Sequence, residues 1–279
     1  MHSSNGSLHC GRFSLSLDRP LIMGIVNLTP DSFSGDGTAG DAAAAVAHAH
    51  AQIEAGAAIL DLGAESSRPG APAVPAAEEL ARLLPVLRAL RDAPVPLSVD
   101  TCKPEVMRAA LAEGAAMIND IAALLAPGAL AALAASQAAV CLMHMQGEPR
   151  TMQANPVYGD VAAEVRAFLG ARAAACVAAG IAPDRIVVDP GFGFGKTLAH
   201  NLALLRQLDG LRTLGYPVLA GLSRKSMLGA ITGRPVAERV HASVAAALLA
   251  VQRGAAIVRV HDVAATRDAL ALLNAVEND

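Results

Sequence analysis

The 279-residue chain has no tryptophan, two tyrosines and five phenylalanines, so aromatic residues make up only 3% of it. A core without large rings must be filled by aliphatic side chains, and hydrophobic residues, many of them alanine, supply 53% of the sequence. Alanine favours helices and thin packing layers. Long apolar runs are missing as well. No stretch reaches the length of about 18 residues that a membrane-spanning helix needs, so no membrane partner is expected. The opening MHSSNGSLHCGRFSLSLDRP lacks the charged start, apolar centre and small-residue cleavage site of an export signal, and the chain reads as cytoplasmic. Lysines and arginines number 22 against 25 acids, a formal net charge of −3 with no basic run. That balance excludes a generally basic nucleic-acid-binding face. The four cysteines, Cys10, Cys102, Cys141 and Cys176, are scattered without the close pairs of zinc or redox motifs and read as reduced structural thiols. His48 and His50 stand two apart on an alanine-rich helix and do not share a face, which argues against joint metal ligation.

What is present is a regular alternation. Short β-branched runs fall at 21–29, 58–63, 96–101, 116–121, 139–145, 186–191, 217–223 and 257–262, with helical stretches such as 41–57, 104–115 and 235–255 between them. Strand followed by helix, repeated, implies parallel strands, and eight such units in this length fit a closed (β/α)8 TIM barrel of the α/β class. One domain over residues 1–279 is expected, with residues 8–18 as a β-hairpin plugging the barrel bottom. Asn27, Asp61, Asp100, Asn119, His144, Asp189, Ser223 and His261 all occur at or near the strand ends, with Glu65, Arg68 and Lys225 just beyond. In such a barrel those ends converge on one mouth, where active sites lie. Individual residues have another reading: Asp100-Thr101 precedes a helix and is suited to capping it.

The stretch IVVDPGFGFGKT, residues 186–197, suggests a phosphate loop but lacks its geometry. The glycine required five positions before Gly195-Lys196-Thr197 is Pro190, which has no N–H to give. Glycines at 191, 193 and 195 also miss the dinucleotide-binding spacing. A tight strand-to-helix turn needing positive φ explains them better, and leaves Asp189 at the end of an apolar strand to be accounted for.

The stretches at 23–37, 60–71, 98–107, 118–121, 142–153, 187–197, 221–228 and 259–263, read together, resemble the dihydropteroate synthases over nearly the whole chain. The resemblance implies condensation of 6-hydroxymethyl-7,8-dihydropterin pyrophosphate with 4-aminobenzoate, giving dihydropteroate and pyrophosphate for folate synthesis. It places Asp100, Asn119, Asp189 and Lys225 on the pterin, whose edge of N–H donors and carbonyl suits a carboxylate and an amide. It places Asn27, Arg259 and His261 on the pyrophosphate, and the spacing of two puts Arg259 and His261 on one strand face. Asn27 becomes the direct protein contact to Mg²⁺, which keeps most of its coordination from phosphate oxygens and water. Ser67, Arg68 and Pro69 of the second βα loop, Phe194 as an apolar wall and Ser226 at its carboxylate surround the 4-aminobenzoate. The catalytic set is then Lys225, Arg259, His261, Arg68 and a first-loop carboxylate, Asp36. Sulfonamide inhibition and a homodimer through the final helices follow from the same resemblance.

Two positions depart from the family pattern. The first loop reads Ser34-Gly35-Asp36-Gly37 where Ser-Asp-Gly-Gly is usual, which moves the carboxylate by one residue and so to the other side of an extended segment. Ser67 stands where threonine is expected, one methyl short. The alternatives are a methyltetrahydrofolate-dependent methyltransferase, against which the residues at 223–226 and 259–261 argue because it has no pyrophosphate to hold, and a non-catalytic pterin-binding paralogue.

Overall fold

The computed structural model describes residues 6–29, 41–66, 71 and 73–277. Eight parallel strands close into one barrel: β3 (Leu21–Asn27), β4 (Ile59–Gly63), β5 (Leu97–Asp100), β6 (Met117–Asp120), β7 (Ala139–Met143), β8 (Ile186–Asp189), β9 (Val218–Ala220) and β10 (Ala255–Val260), with β10 pairing β3 to complete the ring. The expected eight strands are all present, seven of them shorter than their apolar runs and the eighth of equal length but shifted two residues, to 255–260 from the expected 257–262. Residue 221 is where β9 differs most: its ladder stops at Ala220, and the rest of the expected strand, 221–223, is loop.

Each strand is followed by helix, as the alternation requires, and the helices end where backbone chemistry stops them. Helix α1 (Ala42–Glu54) starts at Asp41, whose carboxylate accepts from the Ala43 and Ala44 N–H groups. It ends before Gly56, at φ +107°; α3 (Pro104–Ala112) ends before Gly114 at +97°, and α8 (Val240–Gln252) before Gly254 at +90°. The left-handed conformation closes a helix C-terminus and costs glycine least. The remaining α-helices among the described residues are α2 (Ala76–Ala89), α4 (Ala129–Ala134), α5 (Val161–Ala178), α6 (Leu198–Arg206), α7 (Ser226–Thr232) and α9 (Val263–Glu277).

Side chains alternate along every strand. One set, including Leu60, Leu62, Val140, Leu142 and Val258, packs outward against the helices. The other points into the barrel. At the N-terminal end this inner set is apolar: Met23, Ile59, Met117, Cys141, Val187, Leu219 and Ile257 form one cluster with Leu8 and Cys10 of an N-terminal hairpin, β1 (Ser7–Cys10) and β2 (Phe13–Ser16). The hairpin therefore plugs the bottom of the barrel, and the inner residues nearer the C-terminal end are left to form a site.

Candidate active site

That end holds a cavity of about 560 Å³. Two residues apart on each strand, inward positions reach it as Ile25 and Asn27, Asn119 and Ile121, Arg259 and His261, while Asp100, Met143 and Asp189 enter from β5, β7 and β8. Glu65, Ser66, Phe192, Phe194, Ser223 and Lys225 line it from the loops, and Ser226 from the start of α7. Asn27, Asp100, Asn119, Asp189, Phe194, Lys225, Ser226, Arg259 and His261 are thus brought together as the sequence reading expects. Asp36, Ser67, Arg68 and Pro69 lie outside the described residues.

The floor is a charge network. The Arg259 guanidinium donates through Nε to Asp61 at 2.6 Å and through a terminal nitrogen to Asp100 at 3.0 Å. Asp61 is fully buried and also accepts from Asn119 Nδ2 at 3.0 Å. With its amide nitrogen thus committed, Asn119 turns Oδ1 to where it has no hydrogen-bond partner in the protein. A buried acceptor without a donor costs about 1–3 kcal/mol, so an N–H group brought opposite Oδ1 would be held there. Burial, against the pull of Arg259, pushes the Asp100 carboxyl up to about 7. Burial also opposes the charge on Arg259, yet Asp61 and Asp100 together hold the guanidinium more firmly protonated than usual.

Asp189 is buried on the opposite wall, its Oδ1 accepting from Gly191 N at 2.7 Å. Burial raises its carboxyl, and the Lys225 charge draws it back down. Lys225 is pushed down to about 8 by burial, with Asp189 opposing. Its ammonium donates to the Phe192 carbonyl and stands 4.8 Å from the centroid of the Phe194 ring. At the rim, His261 Nδ1 lies 2.9 Å from Ser223 Oγ, and the His261 carbonyl accepts from Gln52 of α1.

Asp100 does not cap α3. Lys103 occupies the cap position without a side-chain bond, while Thr101 Oγ1 accepts from the Lys103 N–H and Asp100 turns into the cavity. Two strand-end residues do not line the mouth. Asp61 lies a layer below it, and His144 is turned outward, edge-on to Phe168 with ring centroids 5.0 Å apart. Burial and the charge of Lys196 hold His144 neutral, down at about 3.

The glycine loop is a tight turn. Gly191, Gly193 and Gly195 have φ of +67°, +82° and +61°, and a Cβ on Gly191 or Gly195 would overlap the carbonyl oxygen of His144 or Gln146. Lys196 is buried, with its ammonium near His144 Nδ1 (3.0 Å) and the carbonyls of Gly191 (3.0 Å), Phe194 (2.9 Å) and His144 (3.3 Å). The sequence reading missed this, along with the part played by Asp61. A buried acid in the apolar run ILDLG demands a counter-charge, and that demand was the available signal for Asp61.

The family model for pterin binding enzymes matches residues 23–261. A dihydropteroate synthase of Neisseria meningitidis serogroup C is 56% identical over 265 residues, covering 93% of this chain and 94% of the relative. Among solved structures, the Burkholderia cenocepacia dihydropteroate synthase complexed with 7,8-dihydropteroate superposes with a TM-score of 0.90 at 56% identity, covering 97% of this chain and 96% of that one. The Xanthomonas albilineans dihydropteroate synthase with 4-aminobenzoic acid gives 0.92 at 55% identity, covering 99% and 100%.

Proposed function

The chain belongs to the family of pterin-binding enzymes, and on that premise we propose that its reaction is that of a dihydropteroate synthase, a transferase of folate biosynthesis. The observation that carries this reading is the pairing, within one cavity, of an unsatisfied Asn119 acceptor and a buried Asp189 with the cations Arg259 and Lys225. Such a cavity suits a heterocycle rich in N–H donors that carries an anionic tail.

The pterin amino and ring N–H groups would donate to Asp189, and a further N–H to Asn119 Oδ1, with Asp100 beside it. Each bond to a charged acceptor contributes roughly 1.5–3 kcal/mol in such a site. Arg259 commits two of its five N–H donors to Asp61 and Asp100 and would offer the rest to the diphosphate, with His261 just past the end of β10 beside it. Breaking the bond from the pterin methylene carbon to the diphosphate oxygen leaves positive charge on that carbon and the electron pair on the departing anion, which these donors stabilise. The amine of 4-aminobenzoate then forms the C–N bond and sheds one proton, which the departing anion is basic enough to take. Phe194 and Ser226 would hold the benzoate ring and its carboxylate. Lys225, between Asp189 and Phe194, borders both substrates. Asp36, Ser67, Arg68 and Pro69 complete the reading from the first two βα loops.

Asn27 is the residue that would hold Mg²⁺. The described residues contain no group of three histidine, cysteine or acidic side chains fit to bind a metal by themselves, and a single amide oxygen suits a hard cation that takes its other ligands from diphosphate and water. When bound, the ion would neutralise charge on the leaving group. The reading extends to one barrel domain over residues 1–279, working in the cytoplasm as a homodimer. Exposed Ile231, Leu249, Leu272 and Val276 on α7, α8 and α9 supply apolar surface for a partner copy, and among the described residues no helix is long and apolar enough to cross a membrane. The test is turnover: purified protein with Mg²⁺ should convert dihydropterin pyrophosphate and 4-aminobenzoate to dihydropteroate. No product above a chelator-treated control overturns the reading.

A further inference from the structure

The loop at 190–195 is a wall of the cavity with little structure of its own. It carries Phe194 and the Phe192 carbonyl that holds the Lys225 ammonium, yet it belongs to no helix or strand and has three glycines at positive φ. Such a segment orders at high entropic cost unless it is tied. The ties come from behind, on the side away from the cavity. Lys196 gathers two carbonyls of the loop itself and, from the exit of β7, the His144 carbonyl and ring. Asn201 of α6 accepts from Gly193 N at 2.7 Å and donates to the carbonyls of Lys196 and Thr197.

Burying an ammonium is expensive, and Lys196 is only 3% exposed. Its immediate partners are carbonyls and a neutral ring, with no carboxylate among them. Burial has driven it down to about 7, opposed by Asp189 across the loop. A neutral side chain of similar size would avoid that cost, but none presents three N–H donors from one atom. The cost makes sense if the geometry it fixes is needed.

We propose that Lys196, with Asn201, is a positioning residue for 4-aminobenzoate: by knotting the 190–195 loop to the end of β7 it holds Phe194 and the Lys225 ammonium where the second substrate must dock. Neither side chain lines the cavity. The effect therefore reaches the benzoate through the loop.

This rests on the synthase reading, so wild-type turnover is measured first, and an inactive wild type overturns that reading and this inference with it. Lys196→Met is then compared with Arg185→Met, which removes another buried cation that ties backbone carbonyls, those of Ala138 and Leu133, at the far end of the barrel. Lys196→Met should raise KM for 4-aminobenzoate about tenfold or more while kcat stays within about threefold, the pattern of lost binding. Arg185→Met, even at an equal loss of Tm, should leave both constants unchanged. If Lys196→Met does not accumulate as folded protein, Asn201→Ala is held to the same criterion. An unchanged KM, a fall in kcat alone, or the same KM rise in Arg185→Met makes Lys196 a structural residue only and overturns the proposal.

Discussion

Replacing Arg259 with methionine separates two things the guanidinium does at once. In the folded protein it satisfies Asp61, which is fully buried, at 2.6 Å, and Asp100 at 3.0 Å; in the proposed reaction it would face the diphosphate. Removing one partner of a buried ion pair costs about 3–5 kcal/mol, because the remaining charge is left uncompensated. For a chain of this size that corresponds to a Tm loss of roughly 10 °C. Asp100 limits the damage on its own side. Its carboxyl already sits at about 7 and takes a proton readily once the guanidinium is gone. Asp61 is the larger penalty, and Asp61→Asn removes it while leaving an oxygen to accept from Asn119 Nδ2. The double variant Arg259→Met/Asp61→Asn should therefore recover most of the lost Tm by calorimetry. Its kcat/KM should stay down by on the order of a hundredfold, the roughly 3 kcal/mol expected for losing a donor aimed at developing negative charge. Recovery of turnover along with Tm would refute this, since Arg259 would then be only a counter-ion for Asp61.

Asp189→Asn keeps an oxygen for the Gly191 N–H but faces the pterin with a donor where an acceptor is required. Pterin affinity by calorimetry should fall about a hundredfold, roughly 3 kcal/mol, in a folded protein. Because burial brings Lys225 down to about 8, its ammonium is present at pH 7 and lost as pH rises through that value. In a pH series, kcat/KM for 4-aminobenzoate should therefore decline above about pH 8, and a profile flat to pH 10 would take Lys225 out of the benzoate site. Sulfonamides should compete with 4-aminobenzoate and not with the pterin in steady-state inhibition; competition with the pterin alone would place them in the wrong half of the cavity.

How much of this is legible in the sequence depends on the distance over which each contact acts. Alternation of strand and helix is local, so the eight strands can be read directly, and a spacing of two is enough to put Arg259 and His261 on one face. Strand-end polarity likewise points to Asn27, Asp100, Asn119 and Asp189, which do meet in one cavity. The partners each side chain meets are not local. Asp100 ends β5 opposite Gly63 and lines the cavity, Asp61 sits mid-strand in β4 opposite Ser98 and lies beneath it, and Arg259 reaches them across 198 and 159 residues of sequence. His144 occupies a strand end as well. It stands on the outward side at period two from Val140 and Leu142, and what the sequence does not announce is the company it keeps there, Lys196 and the aromatic rings of Phe168 and Tyr158.

The GFGFGKT stretch shows where residue types mislead. Its composition is close to that of a phosphate loop, and in the sequence one missing N–H, at Pro190, is what chiefly sets it apart. The structure adds a stronger reason, which is that several of the neighbouring donors are already in use. Gly191 N donates to Asp189, Gly193 N to Asn201, Phe194 N to the Gly191 carbonyl and Thr197 N to His200. A phosphate nest needs its backbone N–H groups turned together toward an anion, and here they close the loop on itself. The lysine that would reach a phosphate is aimed at carbonyls instead. Loop, lysine and asparagine thus engage one another's polar groups, and on the proposed reading the diphosphate falls to Arg259, which still has donors to give.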